Sequence, residues 1–419
     1  MKFSRYTIIT EVEGEYILYN SIYSSMVLLT FDELELLKQD IKNNTDKSNL
    51  ITEMENQNII VKNTIDEEEE LYRVSDKLRF QPEQITFTIA PTMNCNFDCP
   101  YCYEKGFRCF TMNDEVAEKV AYFILDNISK NQTLKIIWYG GEPLMGMKAI
   151  KIISEIIISN NERYKEFIAE IVTNGYYLTK NTANLLKSLH INYAQVTLDG
   201  DKETHDSRRC LIDGTPTFEK ILKNIQNSID FIPITIRVNI DKNNSSEQVL
   251  KLMEILNDNN LLNKVGFYLA PVEEFDDVVN PSCLTPREFS VEELTIYKKL
   301  FNQGLNITKI PRTTLGFCEA INRDDYIIDP NGFLYKCWVH IGKQVGRVGD
   351  IFNGIDNNIF HKKFTSFTLM DDSKCRNCKV QPLCLGGCPL IKMNTGHSKC
   401  VSLKYNISDQ LQIVKKVTE

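Results

Sequence analysis

The sequence predicts an α/β protein: repeated strand-helix units forming a parallel sheet or barrel, with a small mixed module before it and a cysteine-rich region after it. Six apolar, β-rich runs recur between residues 85 and 270 with helical patterns between them. The first 80 residues mix short strands with two or three helices, and seven of the thirteen cysteines fall between Cys318 and Cys400. A chain of 419 residues exceeds what one hydrophobic core usually organises. The expected division is 1–80, 81–304 and 305–419.

In the first segment, residues 6 to 10 and 15 to 20 read as short strands, and Thr30 suits the cap of a helix over Phe31 to Asp40. A second helical stretch follows near residues 48 to 55, then a strand-like NIIVK. Winged-helix modules, which bind peptides or DNA, have this mixture. Residues 1 to 80 carry 9 Lys and Arg against 16 Asp and Glu, a net of -7, which disfavours DNA. The run Asp66 to Glu70 reads as a solvated helix start or a linker.

In the second segment, strands are expected at 85–90, 134–139, 167–172, 192–198, 234–240 and 265–270, with helix-like stretches such as DEVAEKVAYFILDNI and KAIKIISEIIISN between them. Six strands in repeated βα units place the chemistry at their carboxyl ends. Beyond about residue 305, short strands, turns and cysteines suggest a separate domain stapled by metal.

Composition narrows the function. The content is 42% hydrophobic and 25% charged, that of an ordinary globular protein. Acidic residues interrupt the first sixteen positions, so neither a signal peptide nor a membrane span is expected there, and a cytoplasmic location follows. A net charge of -8 argues against nucleic acid, whose nonspecific binding rests on clustered Lys and Arg. Thirteen cysteines in a reducing compartment point to metal or redox chemistry rather than disulfides.

Directly after the first strand comes APTMNCNFDCPYCYE, which sets Cys95, Cys99 and Cys102 in a C-x3-C-x2-C array. Three such thiolates suit three irons of a 4Fe-4S cluster and leave the fourth iron open. A zinc knuckle is the plain alternative, but tetrahedral zinc wants a fourth ligand. The array resembles that of radical S-adenosylmethionine (SAM) enzymes, which bind SAM at the open iron in a partial (β/α)6 barrel of TIM type. That resemblance implies that Tyr101 packs near adenine. It further implies that Gly140, Gly141 and Glu142 of YGGEP meet the SAM ammonium. Thr173 and Asn174 of TNG, with Thr197 and Asp199 of TLDG, fall near the ribose. In DGDKETHDSRRC, Arg209 takes the position that pairs with the SAM carboxylate, a role suited to an arginine fork. Arg237, Asn239, Leu269 and Ala270 stand at later strand ends, where sheet packing explains them equally well, and His205 reads as a local hydrogen-bonding residue.

The second array is C-x13-G-x4-C from Cys318 through Gly332 to Cys337, then Cys375, Cys378, Cys384 and Cys388 in CRNCKVQPLCLGGC, then Cys400. It resembles the SPASM domain of radical SAM enzymes that mature peptides, sulfatases and quinone cofactors. The resemblance implies two auxiliary 4Fe-4S clusters, three clusters in all. Cys375, Cys378, Cys384 and Cys400 would hold the outer one; Cys318, Cys337 and Cys388 would hold the inner one. Many relatives add a cysteine shortly before the first; FNQGLNITKIPRTTLGF has none, so the inner cluster is expected to keep an open iron unless Cys283 fills it. Cys109 and Cys210 read as spectators. Twin zinc sites are the alternative for this array.

The expected reaction is reductive SAM cleavage followed by hydrogen abstraction from a ribosomal precursor peptide, its leader held by the amino-terminal module and the electron supplied by a flavodoxin or ferredoxin. A cysteine thioether crosslink is the expected product. Formylglycine formation of the anaerobic sulfatase-maturase type is the rival; that group carries an aspartate after the Gly-x4-Cys cysteine, where this chain has Trp338. A carbon-carbon crosslink is a further alternative, and a noncatalytic iron-sulfur or zinc protein is the alternative from another class.

Overall fold

The computed structural model describes residues 1–43, 48–106, 110–275, 282–304, 310–313, 318–356, 358–368 and 372–418. They group into two compact units. One comprises Met1–Gln81, Thr285–Cys318 and Phe367–Glu419; the other comprises Pro82–Leu284 and Glu319–Ser366. This grouping cuts across the ranges 1–80, 81–304 and 305–419.

In the first unit, β1 (Lys2–Phe3) pairs antiparallel with β5 (Ile60–Val61), and β2 (Thr7–Val12), β3 (Glu15–Asn20) and β4 (Ser25–Thr30) form an antiparallel meander. Glu13 and Gly14 join β2 to β3 with φ of 53° and 83°, the two left-handed residues of a tight hairpin whose twist matches its strands. Thr30 caps the helix Phe31–Lys42 in a capping box with Glu33. Asp66 caps Glu67–Phe80, so the acidic run is a helix start whose carboxylates oppose the positive end of the helix dipole. Ile8, Val12, Ile17 and Tyr19 share one apolar core with Val380, Leu383, Ile407 and Leu411. Burying such side chains is worth about 1.5–3 kcal/mol each, enough to bind segments so distant in sequence. Lys379 Nζ donates to the Thr7 carbonyl at 2.8 Å, and the Gln381 amide donates to the Tyr72 hydroxyl at 3.0 Å.

In the second unit, all six expected strands form: β6 (Gln84–Ile89), β7 (Thr133–Trp138), β8 (Glu166–Thr173), β9 (Ile191–Thr197), β10 (Ile234–Ile240) and β11 (Gly266–Pro271). They lie side by side in chain order and every neighbouring pair is parallel. The sheet continues past β6 through β12 (Tyr326–Ile328), β13 (Phe333–Tyr335), β14 (Arg347–Asp350) and β15 (Gly354–Ile355). β12 pairs parallel with β6, so the strands read as part of a separate domain extend the barrel sheet instead. The register puts Thr88, Lys135, Glu170, Gln195, Arg237 and Tyr268 on one face. Phe87, Ile136, Ile171, Val196 and Val238 lie on the other, which is fully buried. One face is therefore apolar core, and the other is a polar surface at which chemistry can occur.

Candidate active site

Cys95, Cys99 and Cys102 lie on the loop that leaves the carboxyl end of β6. Burial pushes the Cys95 thiol up to about 12, and nearby Glu142, Cys99 and Cys102 push the same way against one hydrogen bond from the Phe97 backbone. A thiol such as Cys95 that resists ionisation alone becomes thiolate only when a cationic metal group shares the charge, so these donors fit an iron-bearing cofactor. Among the described residues no three His, Cys, Asp or Glu side chains converge as a single metal ion requires. Thiolates around a multi-iron cluster bind separate irons and stand further apart.

The second strand end clamps this loop. A Cβ on Gly141 would stand 2.3 Å from the Asn94 carbonyl and 2.5 Å from that of Met93, while Gly140, at φ 101°, has 2.6 Å to the Thr92 carbonyl. The Gly141 and Glu142 amides donate to the Thr92 and Asn94 carbonyls at 3.2 and 2.8 Å. Only glycines admit this approach. Fully buried Glu142 accepts from the Leu144 amide at 3.0 Å, the Thr173 hydroxyl at 2.7 Å and the Asn174 amide at 2.8 Å. The Asn174 side chain donates to Asn96 at 2.8 Å, between the first two cysteines. Glu142, Thr173 and Asn174 thus join the ends of β7 and β8 to the cysteine loop. Burial raises Glu142, opposed by those three hydrogen bonds.

The fourth and fifth strand ends meet around Tyr101. Its hydroxyl donates to Asp199 and accepts from Arg209 Nη1 at 2.8 Å and Asn239 Nδ2 at 3.3 Å. Arg208, which no sequence motif singled out, grips Asp241 with Nη1 at 2.8 and 2.9 Å, reaches Asp199 at 3.3 Å and covers the Tyr101 ring at 5.0 Å. Burial alone would raise Asp199, but Arg209, Arg208 and the Tyr101 hydroxyl outweigh it and hold the carboxyl below its usual range. Burial would lower Arg209; Cys99, Tyr101 and Asp199 reverse that and raise it well above the ordinary guanidinium. Among the described residues, Arg209 Nε and Arg208 Nη2 are buried donors without a partner. Such donors beside a cysteine trio fit the carboxylate of SAM. His205 accepts from the Asp199 amide through Nδ1 at 3.1 Å, which leaves Nε2 to donate to Thr217 at 3.1 Å. It is a positioning residue, as the sequence suggested.

Thr197 lies opposite Arg237 in the register, on the polar face. Leu269 shares the row of Val238 on the apolar face, whereas Ala270 shares that of Asn239 on the polar one. Lys135 pairs with Glu170 at 3.1 Å, Tyr268 donates to Gln195 at 2.7 Å, and Arg237 donates to Asn239 at 2.9 Å across that polar face.

In the other unit, Cys375, Cys378, Cys384 and Cys400 line one small cavity, together with Gln381 and Lys404. Lys404 Nζ donates to Cys400 Sγ at 3.4 Å. Burial pushes Cys384 up to about 11, with Cys378, Cys375 and Cys400 adding to it. Four mutually close thiols around a void fit a fully ligated cluster. Cys388 does not line this cavity. Cys318 and Cys388 belong to this unit and Cys337 and Cys283 to the other. Cys210 is half-buried, and Cys109 lies outside the described residues.

A parallel strand-helix sheet whose first strand end carries three clustered thiols, flanked by buried arginines, defines an α/β-barrel enzyme of iron-sulfur and SAM chemistry. Residues 89–256 match the radical SAM superfamily, and the fold is of the radical SAM and SPASM type. The cysteine-type anaerobic sulfatase-maturating enzyme of Clostridium novyi (strain NT) is 23% identical over 349 residues, 73% of this chain and 88% of that one. Native anSMEcpe with bound AdoMet and Cp18Cys peptide superposes with a TM-score of 0.64 at 18% identity, over 80% of this chain and 99% of that one. Streptococcus suis SuiB bound to precursor peptide SuiA superposes at 0.56 and 15% identity, over 96% of this chain and 98% of that one. Among the described residues, no helix is long and apolar enough to cross a membrane.

Proposed function

We propose that this enzyme matures a ribosomally made peptide or protein by taking a hydrogen atom from a residue presented at the polar face of the barrel sheet. The observation that carries the reading is the trio Cys95, Cys99 and Cys102 beside the unpartnered donors of Arg208 and Arg209. When bound, the cluster and SAM supply a carbon radical able to attack unactivated C–H bonds. The protein's own residues place the ligands: the cysteines hold the cluster, Arg209 takes the SAM carboxylate, Glu142 faces its ammonium, and Tyr101, Asp199 and Asn239 fix the arginine. Cys375, Cys378, Cys384 and Cys400 hold an outer auxiliary cluster. The amino-terminal module presents β4, an edge strand unpaired on its outer side among the described residues, to which a leader peptide adds as a further strand. A flavodoxin or ferredoxin supplies the electron.

Two outcomes at a substrate cysteine compete. Oxidation to formylglycine gains from the relatives named for sulfatase maturation and cysteine peptides. It also gains from Glu319. Trp338 stands where that chemistry expects a carboxylate, yet its indole donates to Glu319 at 3.1 Å, so a carboxyl group is present beside it. A thioether crosslink gains from the missing fourth cysteine near Cys318, while the likeness to SuiB bound to precursor peptide SuiA supports a precursor peptide as substrate. Mass spectrometry of the peptide encoded beside this chain separates them. Loss of two hydrogens with sulfur retained marks the crosslink, and loss of two hydrogens with oxygen in place of sulfur marks formylglycine. An unmodified peptide under conditions that cleave SAM would contradict both.

A further inference from the structure

Between Asp372 and Asp409 the chain carries six Lys and Arg and no Asp or Glu, in a sequence whose net charge is -8. The four thiols of the outer centre fall in this stretch, which belongs to one compact unit. Three of its cations turn toward the protein. Lys379 donates to the Thr7 carbonyl at 2.8 Å, Lys392 donates to the Thr368 carbonyl at 3.1 Å, and Arg376 lies 3.7 Å from Glu68. The other three, Lys374, Lys399 and Lys404, line the cavity of the four thiols. Lys374 and Lys404 are exposed, and neither has an acidic partner among the described residues; Lys404 Nζ donates instead to Cys400 Sγ at 3.4 Å. Asp372, two residues before Lys374, directs its carboxylate to the backbone amides of Lys374 at 2.9 Å and Ser398 at 3.4 Å. The four thiols are half-buried, so the group they hold stands near the surface inside a positive rim. A positive rim on an acidic protein attracts acidic partners from a distance, and that pull fades as salt screens it. The redox group within the rim selects among such partners a carrier of single electrons.

We propose that Lys374, Lys399 and Lys404 dock an acidic electron carrier of the flavodoxin class over the outer centre. The proposal rests on the reading of Cys375, Cys378, Cys384 and Cys400 as the ligands of that centre. In the docked pair the anionic flavin hydroquinone gives one electron to the centre and becomes the neutral semiquinone. The centre is reduced by one electron, and no proton moves. The lysines act on the encounter: they hold the carrier's acidic face against the half-buried thiols, where the electron has the least protein to cross.

The test uses the full chain with its clusters reconstituted anaerobically, and an oxidised flavodoxin as the probe, with binding followed by calorimetry at low and high salt. The parent should bind, and more weakly as salt rises. Lys374→Gln combined with Lys404→Gln should weaken binding severalfold at low salt and flatten its salt dependence. Lys220→Gln combined with Lys223→Gln, which removes the same charge from exposed positions of the helix Phe218–Ser228 in the other unit, should leave binding unchanged. Should the first pair load less iron, Lys374→Gln alone, which keeps the Lys404 bond to Cys400, is expected to weaken binding in the same direction. A parent that does not bind flavodoxin, or lysine variants that bind as tightly as the parent, overturn the docking surface alone. A Cys384→Ser variant that keeps the parent's full iron content overturns the outer centre, and the docking proposal with it.

Discussion

Arg208 and Arg209 are chain neighbours with different tasks. Arg209 keeps a donor free beside the cysteine trio; Arg208 closes a buried pair with Asp241, their side chains 8% and 2% exposed. Removing the Asp241 charge leaves buried Arg208 with only its longer contact to Asp199 at 3.3 Å. Asp241→Asn should therefore lower stability by about 3–5 kcal/mol, measurable by chemical unfolding of the full chain. His205 gives a second prediction. Burial lowers its imidazole to about 3, against about 6.5 in the unfolded chain. Between those values the unfolded state binds a proton that the folded state refuses, so this contribution to stability is complete above about pH 6.5 and is lost as the pH falls. His205→Asn, which keeps an acceptor for the Asp199 amide, should flatten the acid limb of a stability-against-pH curve. That Arg209 and Glu142 stand beside the cysteine loop was legible because each sits in a short motif at a strand end. Arg208 and Asp241 were not, because their roles arise where two strand ends meet, and no local pattern records that meeting; Asn239 stood at a strand end where sheet packing explained it equally well.

Elements divide in the same way. The six parallel strands are readable because each is a continuous apolar run bounded by helical periodicity, which burial under helices demands. β12 to β15 escape such reading: each is two to four residues long, and their place is set by β12 finding β6 far upstream in the chain. The shared core of the first unit is hidden for the same reason, since Ile17 and Tyr19 meet Leu383 and Leu411 only in the folded protein. Two predictions belong here. Gly141→Ala would drive a Cβ into the Asn94 and Met93 carbonyls, so it should displace the cysteine loop and cost the SAM-binding centre most of its iron while Cys375, Cys378, Cys384 and Cys400 keep theirs; iron analysis with Mössbauer spectroscopy reads the difference. Thr30→Ala removes the capping box of Phe31–Lys42 and should cost about 1 kcal/mol, seen as a lower midpoint in thermal unfolding.

For the whole molecule, cysteine spacing was the most informative signal, because metal chemistry constrains it more tightly than packing constrains apolar residues. The SPASM resemblance that this spacing carries implies a group of four thiols apart from Cys388, and those four line one cavity that Cys388 does not. Boundaries were less visible: each compact unit is assembled from discontinuous stretches, and composition along the chain does not reveal which stretches fold together. The account depends on three thiols of one loop acting together to hold a centre at which SAM is cleaved. The most direct measurement is 5′-deoxyadenosine released by the anaerobically reconstituted and reduced protein supplied with SAM. Release by the parent and none by Cys102→Ser is the predicted result; an iron-replete parent that releases none, or a variant that releases as much as the parent, would contradict it.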